Sequence, residues 1–212
     1  MSTIDLGQSL DIQKFISEKT DILWNLSSSE LVKHSLKLKM GVLSNNGALA
    51  IDTGKFTGRA PRDRFIVKDH STEKHVDWGK INQPINQQNY KELKEELLKY
   101  LKNKTIFGRY AHACADPEFK LNITLITEYP WSNMFGYNMF LRPDQNELKD
   151  FDNEWTILCA PGLKIKNPKK HGINQNNFSV INFHEKVILI GGTGYTGEIK
   201  KGIFSVLNYI VP

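Results

Sequence analysis

The residues best placed to do chemistry stand in two glycine-bearing stretches. The first, residues 191–201, reads GGTGYTGEIKK. Gly192 and Gly197 have the spacing of a phosphate loop, which reads G-x-x-x-x-G-K-[ST] between a strand and a helix. The next residue should be lysine and is Glu198. A carboxylate there would repel phosphate where a phosphate loop needs an ammonium, so the stretch does not read as one. The lysines come later, as Lys200 and Lys201. They fall near the start of the helix that the pattern predicts, at its positive end, where an ammonium is disfavoured. Two adjacent ammonium groups also disfavour each other, and both effects lower a lysine pKa. A lysine that gives up its proton has a lone pair for a base or a metal ligand. The plain alternative is a pair of solvated surface lysines.

The second stretch, residues 52–65, reads DTGKFTGRAPRDRF. Gly54 and Gly58 keep its backbone open, and Lys55, Arg59, Arg62 and Arg64 outnumber Asp52 and Asp63. An arginine after a glycine can present its planar fork to a carboxylate or phosphate. A solvated basic turn with Arg–Asp pairs fits the same residues.

These stretches need a frame, and 212 residues supply one large domain or two small ones. The net charge of +5 is mild and suits anionic small molecules or nucleic acid without deciding between them. Cys114 and Cys159 form no C-x-x-C pair and lie in apolar runs, so both are expected as buried structural thiols. The N-terminal residues MSTIDLGQSL lack a signal-peptide pattern, and no apolar run approaches the ~20 residues of a membrane span. A reducing, cytoplasmic setting is expected.

Residues 27–40 predict a helix, with Ser27 and Glu30 at capping-box spacing and Gly41 as the stop. Residues 41–52 predict two strands about an Asn-Asn-Gly turn with Gly47 at positive φ, and a third strand starts at Arg64. Tyr90, Leu93, Leu97 and Leu101 recur at helical spacing across 87–102. Strands are expected near 105–113, 121–128, 155–161, 178–183 and 186–192. Leu121, Ile123 and Leu125 alternate with Asn122 and Thr124 as in a half-buried strand. Ile199, Ile203, Val206, Leu207 and Ile210 share a face of a last helix, and residues 164–177 read as a polar surface loop. The fold class is α/β, a mixed sheet flanked by helices. The apolar NYIVP at the end of the chain suggests a fragment of a longer protein.

Three segments, GALAIDTGKFTGRAPRDRFIVKD, ITEYPWSNMFGYNMFLRP and GGTGYTGEIKKGIFSVLNYIVP, occur in this order from about Asn25 to the last residue. Together they resemble the N-terminal half of ATP-dependent phosphoenolpyruvate carboxykinase. The resemblance implies a two-lobed enzyme that turns oxaloacetate and ATP into phosphoenolpyruvate, ADP and carbon dioxide with Mn²⁺ and Mg²⁺. It implies that this chain is the substrate-binding lobe, residues 1–212, inactive alone. Its partner would be its own C-terminal nucleotide-binding domain, with the true phosphate loop and the acidic metal ligands.

The resemblance also carries roles to three positions. Arg59 in TGRAPRD matches the arginine that holds the substrate carboxylate, and Tyr195 in GTGYTGE matches a tyrosine that contacts substrate. Lys201 in EIKKG matches the lysine that ligates Mn²⁺ as a neutral amine and approaches substrate and nucleotide. Lys200 reads as a neighbour that helps depress that pKa. One departure is visible: Gly194 stands before the tyrosine, where many members carry a bulky or polar residue. His112 and Cys114 lie in a segment that the family keeps structural. Neither nucleic acid nor a membrane is expected as a partner. A non-catalytic anion- or nucleic-acid-binding domain is the reading from another class, although aromatics do not interleave with the basic loops as single-strand binders require.

Overall fold

The structure, a computed structural model, describes residues 11–211. The chain runs α1 (Ile12–Glu18), β1 (Ile22–Trp24), α2 (Ser28–Lys37), β2 (Val42–Leu43), β3 (Leu49–Ala50), β4 (Arg64–Val67) and β5 (Gln83–Ile85). It continues with α3 (Gln87–Lys102), β6 (Ile106–Ala113), β7 (Leu121–Thr127), α4 (Pro130–Met139), β8 (Trp155–Ala160), β9 (Phe178–Asn182), β10 (Val187–Gly191) and α5 (Gly197–Ile210). Eight strands form one mixed sheet in the order β1-β6-β7-β8-β10-β9-β4-β5, and β2 and β3 form a separate hairpin. Most neighbours are parallel; β6–β7 and β9–β10 are antiparallel. The α/β class expected from the sequence is the class observed.

Alternation along the strands divides the core in two. Leu158, Val180, Val187 and Leu189 join the face covered by α3, whose Tyr90, Leu93, Leu97 and Leu101 are fully buried. Ile157, Ile181, Ile188 and Ile190 join the opposite face, covered by Ile199, Ile203 and Val206 of α5. Burying one such leucine or isoleucine is worth about 2 kcal/mol. The sheet is covered on both sides, so β7 is buried on both faces and not half-buried as its alternation implied; even Thr124 is buried. The α4 helix packs against β6 and β7 and carries α2 on it. Buried Arg109 of β6 donates to Asn133 of α4 at 3.1 Å and to the Leu26 carbonyl, which fastens that layer.

Several expectations need correction. The Ser27–Glu30 capping box is formed, but α2 ends at Lys37 because Lys39 takes a left-handed φ of 56° before Gly41 is reached. The hairpin turn has Gly47 at φ 83°, as expected. Loop 164–177 is exposed in part, yet Ile165 and Ile173 are buried in the α3-side core and pin it down. Ile210, at the end of the α5 stripe, is 43% exposed and not part of the buried face. Cys159 is buried and free, whereas Cys114 is only half-buried and sits at φ 71°, beyond the end of β6. Among the described residues no helix is long and apolar enough to cross a membrane.

Candidate functional site

The topology explains why the two glycine-bearing stretches meet. They lie on either side of β9, which is antiparallel to β10 and parallel to β4. Arg64, the first residue of β4, is in register with Ser179, and Ser179 with Ile190 near the end of β10. Adjacent strands are ~4.8 Å apart, so the start of β4 lies ~10 Å from the end of β10 on the same edge. The loop entering β4 carries Arg59. The turn leaving β10 carries Tyr195, and α5 carries Lys201.

In the turn after β10, four amides are already bonded within the chain. Gly192 adopts φ 68° and donates its N–H to Ala160 at 3.1 Å. Tyr195 donates its N–H to the Thr193 hydroxyl at 3.1 Å. The amides of Glu198 and Ile199 bond back to the carbonyls of Tyr195 (3.3 Å) and Thr196 (3.0 Å). A phosphate loop needs such amides free. Gly194 has a separate reason to be glycine: a Cβ there would lie 2.6 Å from the Thr53 carbonyl oxygen. At Gly197 a Cβ would lie 2.8 Å from the Tyr195 hydroxyl, so the phenol lies across the first residue of α5.

Glu198 is buried and paired. It is 3% exposed, accepts the Ala60 N–H at 3.1 Å through Oε1, and places Oε2 3.3 Å from Arg64 Nε. Arg59 is exposed and forms no ion pair among the described residues. Tyr195 is half-buried. Lys200 is exposed and Lys201 half-buried, at the fourth and fifth positions of α5.

The Lys201 amine is held below the ordinary lysine pKa, by burial first, then by the charges of Arg64, Arg59 and Lys200 in that order, with Glu198 opposing. The expected direction holds, but the main causes differ. Lys200 ranks behind two arginines brought in by the β4 side. Lys201 Nζ lies 4.4 Å from the centre of the Phe204 ring, a contact that favours its ammonium form.

Arg64, Lys201, Phe204, Tyr209, Ser71 and His75 line a cleft of about 850 Å³. Arg59 and Tyr195 are not on its lining. Arg64 was missed as a site residue, and so was the inward role of Glu198. Inward spacing with Ile199 and Gly202 was the one available signal for Glu198. Arg64 had none, because its neighbours come from strand pairing. His112 is held by Asn122 (2.8 Å) and lies 3.4 Å from Glu147, a structural arrangement.

Among the described residues no three His, Cys, Asp or Glu side chains gather as metal ligands. Lys201 contributes a single amine to the cleft.

Residues 20–212 match a family model described as phosphoenolpyruvate carboxykinase. The chain is 48% identical over 207 residues to "Phosphoenolpyruvate carboxykinase (ATP)" of Christiangramia forsetii, covering 98% of this chain and 39% of that protein. It is 46% identical to the protein of the same description from Flavobacterium johnsoniae, with 97% and 38% covered. Against that of Bacillus subtilis it is 38% identical, with 100% and 40% covered. The chain therefore spans about 40% of the length of these curated relatives.

Proposed function

Because the chain belongs to the ATP-dependent phosphoenolpyruvate carboxykinase family, we propose that residues 1–212 are the substrate-binding domain of such an enzyme, working in the cytoplasm. The reaction would convert oxaloacetate and ATP to phosphoenolpyruvate, ADP and carbon dioxide. The observation that carries this reading is the meeting of the two glycine-bearing stretches: Glu198, three residues before Lys201, accepts the N–H of Ala60, next to Arg59, at 3.1 Å and lies 3.3 Å from Arg64 Nε.

In this reading exposed Arg59 clamps a carboxylate of oxaloacetate, with both N–H groups of its fork directed at the two oxygens. The clamp orients the bond to the departing carboxylate, so that its loss as carbon dioxide leaves the electron pair on the enolate. The Tyr195 phenol, set over the start of α5, contacts the same substrate. The enolate oxygen then attacks the γ-phosphoryl of ATP, releasing ADP, a step governed by positioning and charge neutralisation. ATP, with its Mg²⁺, would be held by a nucleotide-binding domain present in the longer relatives. A divalent cation such as Mn²⁺ would, when bound, stabilise the enolate oxygen as a Lewis acid. Lys201, with its lowered pKa, is the ligand that this chain would offer it.

Titration of the purified chain with phosphoenolpyruvate tests the reading. Saturable binding is expected, weakened ~10-fold or more in Arg59→Gln, as for loss of a charge-assisted hydrogen bond. No binding, or equal binding by Arg59→Gln, would reject it.

A further inference from the structure

We infer that Glu198 is a positioning residue, whose carboxylate fixes the Arg59 loop onto the helix that carries Lys201. Within the loop, residues 55–59 make no hydrogen bond or ion pair among the described residues. Gly58 has open space where a side chain would be, and Arg59 itself is exposed. The loop is therefore poorly held by its own contacts. Its tie is the next residue, Ala60, whose N–H is donated to Glu198 Oε1 at 3.1 Å.

The same carboxylate reaches Arg64 with its other oxygen and is almost wholly buried. Glu198 precedes Lys201 by three residues, so the two side chains are neighbours on the helix surface. One side chain thus joins the Arg59 loop, the first residue of β4 and the start of α5. A buried carboxylate accepting a backbone N–H is a strong, directional tie. It also sets a negative charge among Arg59, Arg64 and Lys201, which would otherwise repel one another. That is a physical use for an acid at the position where a phosphate loop has its lysine.

The inference rests on the reading of Arg59 as a carboxylate clamp, and two measurements keep the two claims separate. One is hydrogen exchange of the Ala60 amide, which needs no ligand. The other is phosphoenolpyruvate affinity. In Glu198→Ala the Ala60 amide should exchange faster and phosphoenolpyruvate should bind ~10-fold or more weakly, while core amides such as that of Leu189 keep their protection. In Glu198→Gln, which keeps an acceptor oxygen, Ala60 should stay protected and affinity should fall less than in Glu198→Ala. An unchanged Ala60 exchange rate in Glu198→Ala would overturn the inference, as would a deprotected Ala60 with unchanged affinity. If Glu198→Ala fails to fold, Glu198→Gln decides, and an Ala60 amide as exposed as in a peptide would overturn it. If the parent chain binds no phosphoenolpyruvate, the clamp reading fails and the tie is still judged by Ala60 exchange.

Discussion

The backbone of Gly194 lies so close to that of Thr53 that a Cβ on Gly194 would stand 2.6 Å from the Thr53 carbonyl oxygen. That distance is below any ordinary carbon–oxygen contact, and the obstacle is backbone, so the strand-to-helix turn and the basic loop cannot both keep their places around a larger residue. Gly194→Ala should therefore move the 52–56 segment. The expected result is a loss of stability of about 1–3 kcal/mol, the usual range for overpacking, with weaker phosphoenolpyruvate binding. Chemical denaturation and titration calorimetry would check both, and a variant as stable as the parent would contradict the close packing.

Lys201 should titrate below the ordinary lysine value of ~10.4. Burial, Arg64, Arg59 and Lys200 all disfavour its ammonium form. NMR of the side-chain carbons should show Lys201 losing its proton at lower pH than Lys200, and Arg64→Gln should raise its pKa. The linkage sign follows. The folded state binds fewer protons than the unfolded state between the two pKa values, so stability attributable to Lys201 rises with pH through that window and is lowest below it.

Substitutions at Lys201 separate charge from coordination. In a full-length carboxykinase carrying this chain, Lys201→Arg keeps the charge but offers no lone pair, since guanidinium stays protonated. Both Lys201→Arg and Lys201→Met should reduce turnover ~100-fold or more, the scale for losing one preorganised electrostatic group, and should weaken Mn²⁺ binding. Near-normal kcat and Mn²⁺ affinity in Lys201→Arg would end the ligand proposal.

The 212-residue chain, purified alone, should fold and yet form no phosphoenolpyruvate from oxaloacetate and ATP. Its glycine-bearing turn has Glu198 where a phosphate loop has its lysine, and among the described residues it gathers no metal-ligand cluster. A coupled assay detecting ATP-dependent product from this chain would refute the division of labour proposed for the two domains.

On the α3 side, Lys94 Nζ lies 2.7 Å from Glu185 Oε2, and the Tyr90 hydroxyl donates to the same oxygen at 2.9 Å. Glu185→Ala would leave a buried ammonium unpaired. The expected cost is about 3 kcal/mol, the low end for breaking a buried pair, because the Glu185 side chain keeps 27% exposure. Lys94→Met should cost less, since Glu185 can take up water. Urea denaturation of the two variants would give the order.

Periodicity along the chain was enough to determine α3, the five long strands and the Ser27–Glu30 cap, because a helix repeat, a strand repeat and a cap are local patterns. Chain order and motif also sufficed for the family. Short elements escaped: β1 and β5 have three residues each, too few to show a period, and α4 is buried on too many sides to show a clean stripe. The meeting of the Arg59 loop with the start of α5 was legible only by resemblance. It is decided by β9, which turns back between β10 and β4 and brings the start of one strand beside the end of another. The same long-range pairing brings Arg64 to Glu198, buries that carboxylate, and makes arginines from a distant segment depress the Lys201 pKa. Side-chain charges reach one another through space, and only the folded chain sets which ones are near.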